Sequence, residues 1–424
     1  MLGPKLSLIL RMKLAIFGTT VLLAALCAAQ QETVLHSFGG GTDGRNPDCG
    51  LVMDDAGNLY GTTGNGGIHG WGTVFKLSPR QGEGWNETVL HNFGNGSDGR
   101  HPYCGLMFHA GILYGATYGG GIHGAGTVFI LAPGEDGNWA ETVLHSFGKG
   151  TDARLPNGNL ILDGAGNLYG TTWQGGIHSY CFYGSGCGTV FELSPRAGGG
   201  WMETVLHSFG NNRDGQGPGS GVIMDDAGNL YGTTLMGGIH NSGTVFELSP
   251  RAGGGWTETV LHNFGNGSDG QSPSGGLIMD GVGNLYGTTD GGGIHGAGTV
   301  FKLSPRAGGG WTETLLHSLT SGYWSVAGLL MDPDGNLYGT TEWGGNYVNC
   351  SSGCGIVFEL SPQADGGWTE TVLHRFDGAD GQWPFAGLIM DGAGNLYGTT
   401  SSGGIHHNCD GTCGTVFELS PGAR

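Results

Sequence analysis

Short apolar runs rich in β-branched and aromatic residues, separated by clusters of Gly, Pro, Asn and Asp, fill the chain from residue 32 onward. Between Glu258 and Leu303 they are residues 258–264, 276–280, 284–289 and 298–303. Such runs between turn residues predict strands, and no segment shows the 3.6-residue apolar period of a helix. The runs are apolar on both alternating faces, the pattern of strands covered on both sides.

The same four runs are written seven times, starting at Glu32, Glu87, Glu141, Glu203, Glu258, Glu313 and Glu370, at intervals of 55, 54, 62, 55, 55 and 57 residues. A unit of this size cannot bury both its faces alone, so neighbouring copies must stack. Four strands in each of seven units predict an all-β, seven-bladed β-propeller with four-stranded antiparallel blades. An open β-solenoid, with both ends uncapped, is the alternative. The Gly-rich stretch after each Leu-Ser-Pro reads as a hairpin turn, so each Glu-Thr-Val-Leu-His-Ser-Phe run is the outermost strand of the preceding blade. Residues 32–38 then have no blade before them, and the last blade, ending at Pro421, lacks its outer strand. Pairing the two closes the ring and removes an open edge.

The joint recurrence of Glu-Thr-Val-Leu-His-Ser-Phe, Gly-Asn-Leu-Tyr-Gly-Thr-Thr and Gly-Thr-Val-Phe-Glu-Leu-Ser-Pro from Glu32 to Pro421 resembles the Gloeo/Verruco (GloVer) tandem repeat family of exported bacterial proteins. The resemblance implies a propeller and export, but no particular reaction. Many members carry a C-terminal surface anchor. This sequence stops at Arg424, so release is expected rather than attachment.

Residues 1–29 read as a secretory signal, with Lys5, Arg11 and Lys13 before an apolar run and a small-residue cleavage site after Ala29. Lipidation at Cys27 is the minor alternative. Residues 30–424 then form one propeller domain, secreted to the periplasm, cell surface or medium and expected to be monomeric. Without the signal, Lys plus Arg falls from 16 to 13 while Asp plus Glu stays at 35, giving a net charge of −22. That balance argues against nucleic acid as a partner, and the mature chain has no segment long enough to span a bilayer as a helix. Eight cysteines remain, an even number in an exported chain, and predict disulfides. Cys181–Cys187, Cys350–Cys354 and Cys409–Cys413 are local pairs in enlarged loops. Cys49 and Cys104 share a column of copies 1 and 2, so a bridge between them would join neighbouring blades. A zinc site is the rival reading.

Residues present in every copy are expected to be architectural. His36, His91, His145, His207, His262, His317 and His374 lie in the outer strand and are expected to be packed and hydrogen-bonded. Asp54, Asp163, Asp225, Asp280, Asp332 and Asp391 should cap their own turns, Asp332 being the one candidate for a cation. A second histidine column, in Gly-Gly-Ile-His, holds His69, His123, His178, His240, His295 and His406. The loop leading into each inner strand holds Asp43, Asp98, Asp152, Asp214, Asp269 and Asp380. These two columns are expected to alternate on one face and to hydrogen-bond between loops. No cofactor is implied, with a structural divalent cation such as Ca2+ between loops as the alternative.

Function is expected where the copies differ, on that same face. Arg45, Arg100 and Arg154 form a cationic arc beside His101 and Tyr103, suited to carboxylate, sulfate or phosphate; pairing of each arginine with its loop Asp is the competing reading. Tyr118, Trp173, Trp324, Trp343 and Trp383 break the pattern nearby and offer flat faces to sugar rings. The expected function is binding of an extracellular polysaccharide or surface glycan, most plausibly an acidic one. A polysaccharide lyase or glycoside hydrolase on the same scaffold, and a protein-interaction scaffold, are the alternatives. No catalytic residue can be assigned, because no Ser-His-Asp, HExxH or phosphate-loop signature is present.

Overall fold

The computed structural model describes residues 31–421 except 83, 136, 212, 326 and 407–412. The expected signal segment lies outside the described residues. The chain forms a seven-bladed β-propeller. Blade 1 consists of Val52–Met53, Leu59–Thr63, Thr73–Pro79 and Trp85–Asn92, in that order from the axis outward, and blades 2 to 6 repeat it. Blade 7 has Ile389–Met390, Leu396–Thr400 and Thr415–Ser420, and its outermost strand is Gln31–Ser37. Thr33 lies opposite Glu418 and Val34 opposite Phe417. The ring is thus closed by the N-terminal strand, in the expected phase.

Seven apolar clusters hold the blades together, one at each interface. Phe75 and Leu77 of blade 1 pack with Tyr397 and Val416 of blade 7, and Phe246 and Leu248 of blade 4 with Tyr169 and Val190 of blade 3. A large ring fits there because the second strand carries glycine. A Cβ on Gly232 would lie 2.6 Å from Phe246 Cζ, and one on Gly61 2.5 Å from Phe75 Cζ. Between the third and outer strands the register slips by one residue, for example between Val74 and Phe75. Such a bulge deepens the local twist.

One face is built from tight turns. Asp54 Oδ1 accepts from the backbone N–H of Ala56 and Asn58, while Oδ2 accepts from the Asn58 amide and the Tyr60 hydroxyl. These donors hold the carboxyl below its ordinary range against the opposing effect of burial. Asp332 makes the same four bonds, so its carboxylate is occupied by protein donors as in the other copies. The hairpin tryptophans on this face are structural: Trp256 packs edge-on against Tyr169 of blade 3, with centroids 6.4 Å apart.

Disulfides join Cys181 to Cys187 and Cys350 to Cys354, with Cα–Cα distances of 5.0 and 5.3 Å. Cys413 is also disulfide-bonded; Cys409, its expected partner, lies outside the described residues. The expected Cys49–Cys104 bridge is corrected: both thiols are free and buried. Each points the same way round the ring, Cys49 Sγ donating to Pro102 O and Cys104 Sγ to Pro156 O, both at 3.4 Å. They follow one another instead of meeting.

Candidate functional site

On the opposite face, each leading loop pairs with the middle loop between the second and third strands. Gly99–Arg100 pairs with Gly119–Gly120, and Gly322–Tyr323 with Trp343–Gly344. The residue after this short pairing has a left-handed backbone in every blade: Asn46, His101, Leu155, Gly217, Ser272, Trp324 and Trp383, with φ between 54° and 60°. Only one of the seven is glycine. Bulky side chains there cost about 1–2 kcal/mol each.

Two hydrogen bonds impose this conformation. His101 N donates to Trp71 O of the preceding blade at 2.9 Å, and His101 O accepts from Tyr118 N at 2.9 Å. In the later blades Ser272 O accepts from Asp290 N, Trp324 O from Glu342 N and Trp383 O from Ser401 N. The left-handed residue is therefore a hub. It locks one variable side chain against a second variable column, the one that follows Gly-Thr-Thr.

These columns gather most of the expected site residues. The Arg100 guanidinium lies 4.6 Å from the centre of the Trp71 ring. Trp71 meets His101 edge-on at 5.0 Å, His101 stacks on Tyr103 at 5.4 Å, and Tyr103 meets Tyr118 edge-on at 5.9 Å. A continuous ladder thus runs from a cation to two phenols. Trp324 stacks on Trp343 at 4.2 Å, with Tyr323 edge-on at 5.4 Å, to form a second platform. Trp173 packs at 4.8 Å on Phe182 of the disulfide loop, and the indole N–H of Trp383 is buried with no hydrogen-bond partner among the described residues.

Among the described residues, Arg45, Arg100 and Arg154 form no ion pair with a carboxylate. The loop Asp residues are taken by the outer-strand histidines instead, as in His36–Asp43 at 3.3 Å and His262–Asp269 at 3.0 Å. This corrects the expected hydrogen bonding of the loop Asp residues to the Gly-Gly-Ile-His column, where His69, His123, His240 and His295 are exposed. Arg154 Nε is buried without a partner.

Sequence comparison decides the family. Residues 17–183 and 181–417 match the Gloeobacter/Verrucomicrobia repeat. The chain belongs to that family. No curated protein matches it in sequence. Among solved structures it is similar to a gluconolactonase from Xanthomonas campestris, at 14% identity and TM-score 0.38, covering 69% of this chain and 81% of that one. It is also similar to a Thermus thermophilus protein named as a putative oxidoreductase (glucose dehydrogenase), at 14% identity and TM-score 0.41, covering 92% and 100%. Neither similarity carries an activity over.

In this Gloeobacter/Verrucomicrobia repeat protein the loops of this face also bring in three carboxylates that sequence reasoning missed, Asp290 and Glu342 in the second variable column and Asp48 in the column of Tyr103. Burial lifts Asp48 to about 7, partly offset by the Ser401 hydroxyl, and Asp48 Oδ1 is shut from solvent with no hydrogen-bond partner among the described residues. Burial raises Asp290 to about 6, against a hydrogen bond from Ser274. Burial, and then the Asp290 charge, raise Glu342 to about 7. The available signal was positional. Asp290 and Glu342 occupy the same column as Tyr118 and Trp173, where other copies have Gly64, Leu235 and Ser401.

Proposed function

We propose that this chain is an exported binding protein for an acidic polysaccharide or surface glycan, engaged on the loop-rich face. The ladder from Arg100 through Trp71, His101 and Tyr103 to Tyr118 is the observation that carries the reading. Sugar rings offer C–H faces that pack on aromatic planes, and a guanidinium without a carboxylate partner suits a uronate or sulfate. The strained hubs fix these side chains in place, which lowers the ordering cost of binding. Family membership and the expected signal segment support export. A glycan array with uronic and sulfated sugars tests the reading. Retention by the parent chain and loss with Arg100→Ala are expected; equal retention by both, or by neither, contradicts it.

A second reading, glycoside hydrolysis, draws on Glu342 and Asp290. Two neighbouring carboxyls lifted to about 7 and about 6 offer one group protonated near neutrality and one available as base. It predicts new reducing ends from a polysaccharide, lost in Glu342→Gln.

A further inference from the structure

Three clefts of about 680, 450 and 850 Å3 lie at the rim, between outer strands of neighbouring blades. Each is lined by an outer-strand histidine, the Asp of the next leading loop and the Glu of the next outer strand, as with His145, Asp152 and Glu203. The ladder of aromatic residues uses none of these groups.

We propose that inter-blade sites of this kind bind divalent transition cations through one imidazole and two carboxylates where those groups converge, as they do in the first cleft but not in the other two. In His91–Asp98–Glu141, His145–Asp152–Glu203 and His374–Asp380–Glu32 the ligand atoms all lie within 4.8 Å of one another. The His–Asp separations of 3.3 and 3.6 Å in the first two match the about 3.4 Å between ligands around a tetrahedral zinc ion. Donor atoms are left over. Among the described residues His145 Nε2, Asp152 Oδ1 and Glu203 Oε1 are buried without a hydrogen-bond partner, while Asp152 Oδ2 accepts from Gly148 N and Lys149 N, and the Asp152 side chain is only 7% exposed. A fourth donor is near, because His123 lines the same cleft. Mixed imidazole and carboxylate donors suit Zn2+ or Mn2+ and disfavour Ca2+, which takes oxygen ligands.

The interface between blades 5 and 6 is an internal control. There the loop Asp is missing, Ser321 stands in its place, and Glu370 turns to His317 at 3.0 Å and to Thr320 at 2.9 Å.

Calorimetric titration of the EDTA-stripped chain with ZnCl2 tests the proposal. The expected stoichiometry is about three or more ions per chain, reduced by one in Asp152→Asn and raised by one in Ser321→Asp. Anomalous scattering at the zinc edge, on crystals of the parent chain, is expected to place the metal between His145, Asp152 and Glu203. This holds the test even if a variant fails to fold. Less than one ion bound, a stoichiometry indifferent to both substitutions, or metal found only elsewhere would overturn it.

Discussion

Gly232→Ala probes the packing rule that lets this repeat close into a ring. Gly232 lies in the second strand of blade 4 at a backbone conformation open to any residue, since it is absent from the left-handed glycines. On entropy alone, alanine there would stabilise by about 0.4–1 kcal/mol. The structure reverses that sign. The new Cβ would sit 2.6 Å from Phe246 Cζ and 2.9 Å from Cε1. Phe246 is fully buried and wedged against Phe209, with ring centroids 5.0 Å apart, so it has nowhere to retreat. Overpacking of this kind costs about 1–3 kcal/mol, leaving a net loss centred on about 1 kcal/mol after the entropic gain. Urea denaturation followed by tryptophan fluorescence reads the difference. Gly281→Ala is the control, since its Cβ meets nothing within 4 Å, and it is expected to leave stability unchanged or slightly higher. The double variant Gly232→Ala/Phe246→Leu should recover part of the loss. A Gly232→Ala chain as stable as its parent would refute the argument.

Other consequences follow from single contacts. Asp225→Ala removes the acceptor of Ala227 N, Asn229 N, Asn229 Nδ2 and Tyr231 Oη and is expected to lower the unfolding free energy by about 1 kcal/mol in the same assay. Glu32, Glu87 and Glu203 are raised from 4.5 to about 7, 7 and 8. Their contribution is complete below pH 4.5 and lost as pH rises through those values, so the urea midpoint in EDTA should fall from about pH 5 to about pH 8, less steeply in Glu203→Gln. Burial pushes the Cys104 thiol up to about 12 and shields Cys49. Iodoacetamide should label both in urea without reductant and neither in the native chain, as mass spectrometry would show. Trp324→Gly relieves a left-handed tryptophan but loses its stack on Trp343; glycan affinity should drop while stability holds within about 1 kcal/mol.

The alternation of strand and turn residues made blade count, phase and closing strand legible, because each signal was repeated seven times and the hairpin turns fixed which strands pair. Partnerships between loops were harder. The Gly-Gly-Ile-His column suggests itself as the partner of the loop Asp residues, yet a spacing of seven residues links His36 to Asp43, His91 to Asp98 and His262 to Asp269. That spacing is the trace of a Gly-rich loop folding back on its own strand. Cys49 and Cys104 misled because equal columns in adjacent blades face the same way round the ring. Arg100, His101, Tyr103 and Tyr118 were found as irregularities, but Trp71, which joins Arg100 to His101, belongs to a different loop and carried no mark of its contact. Asp48, Asp290 and Glu342 are single acids in an acidic chain, and only burial distinguishes them.

A crystal structure of the chain with an oligouronide bound tests the central claim most directly. The account predicts sugar rings along the ladder of Trp71, His101, Tyr103 and Tyr118, with a uronate carboxylate against Arg100. Sugar bound at the Asp-turn face, or no sugar at saturating concentration, would contradict it.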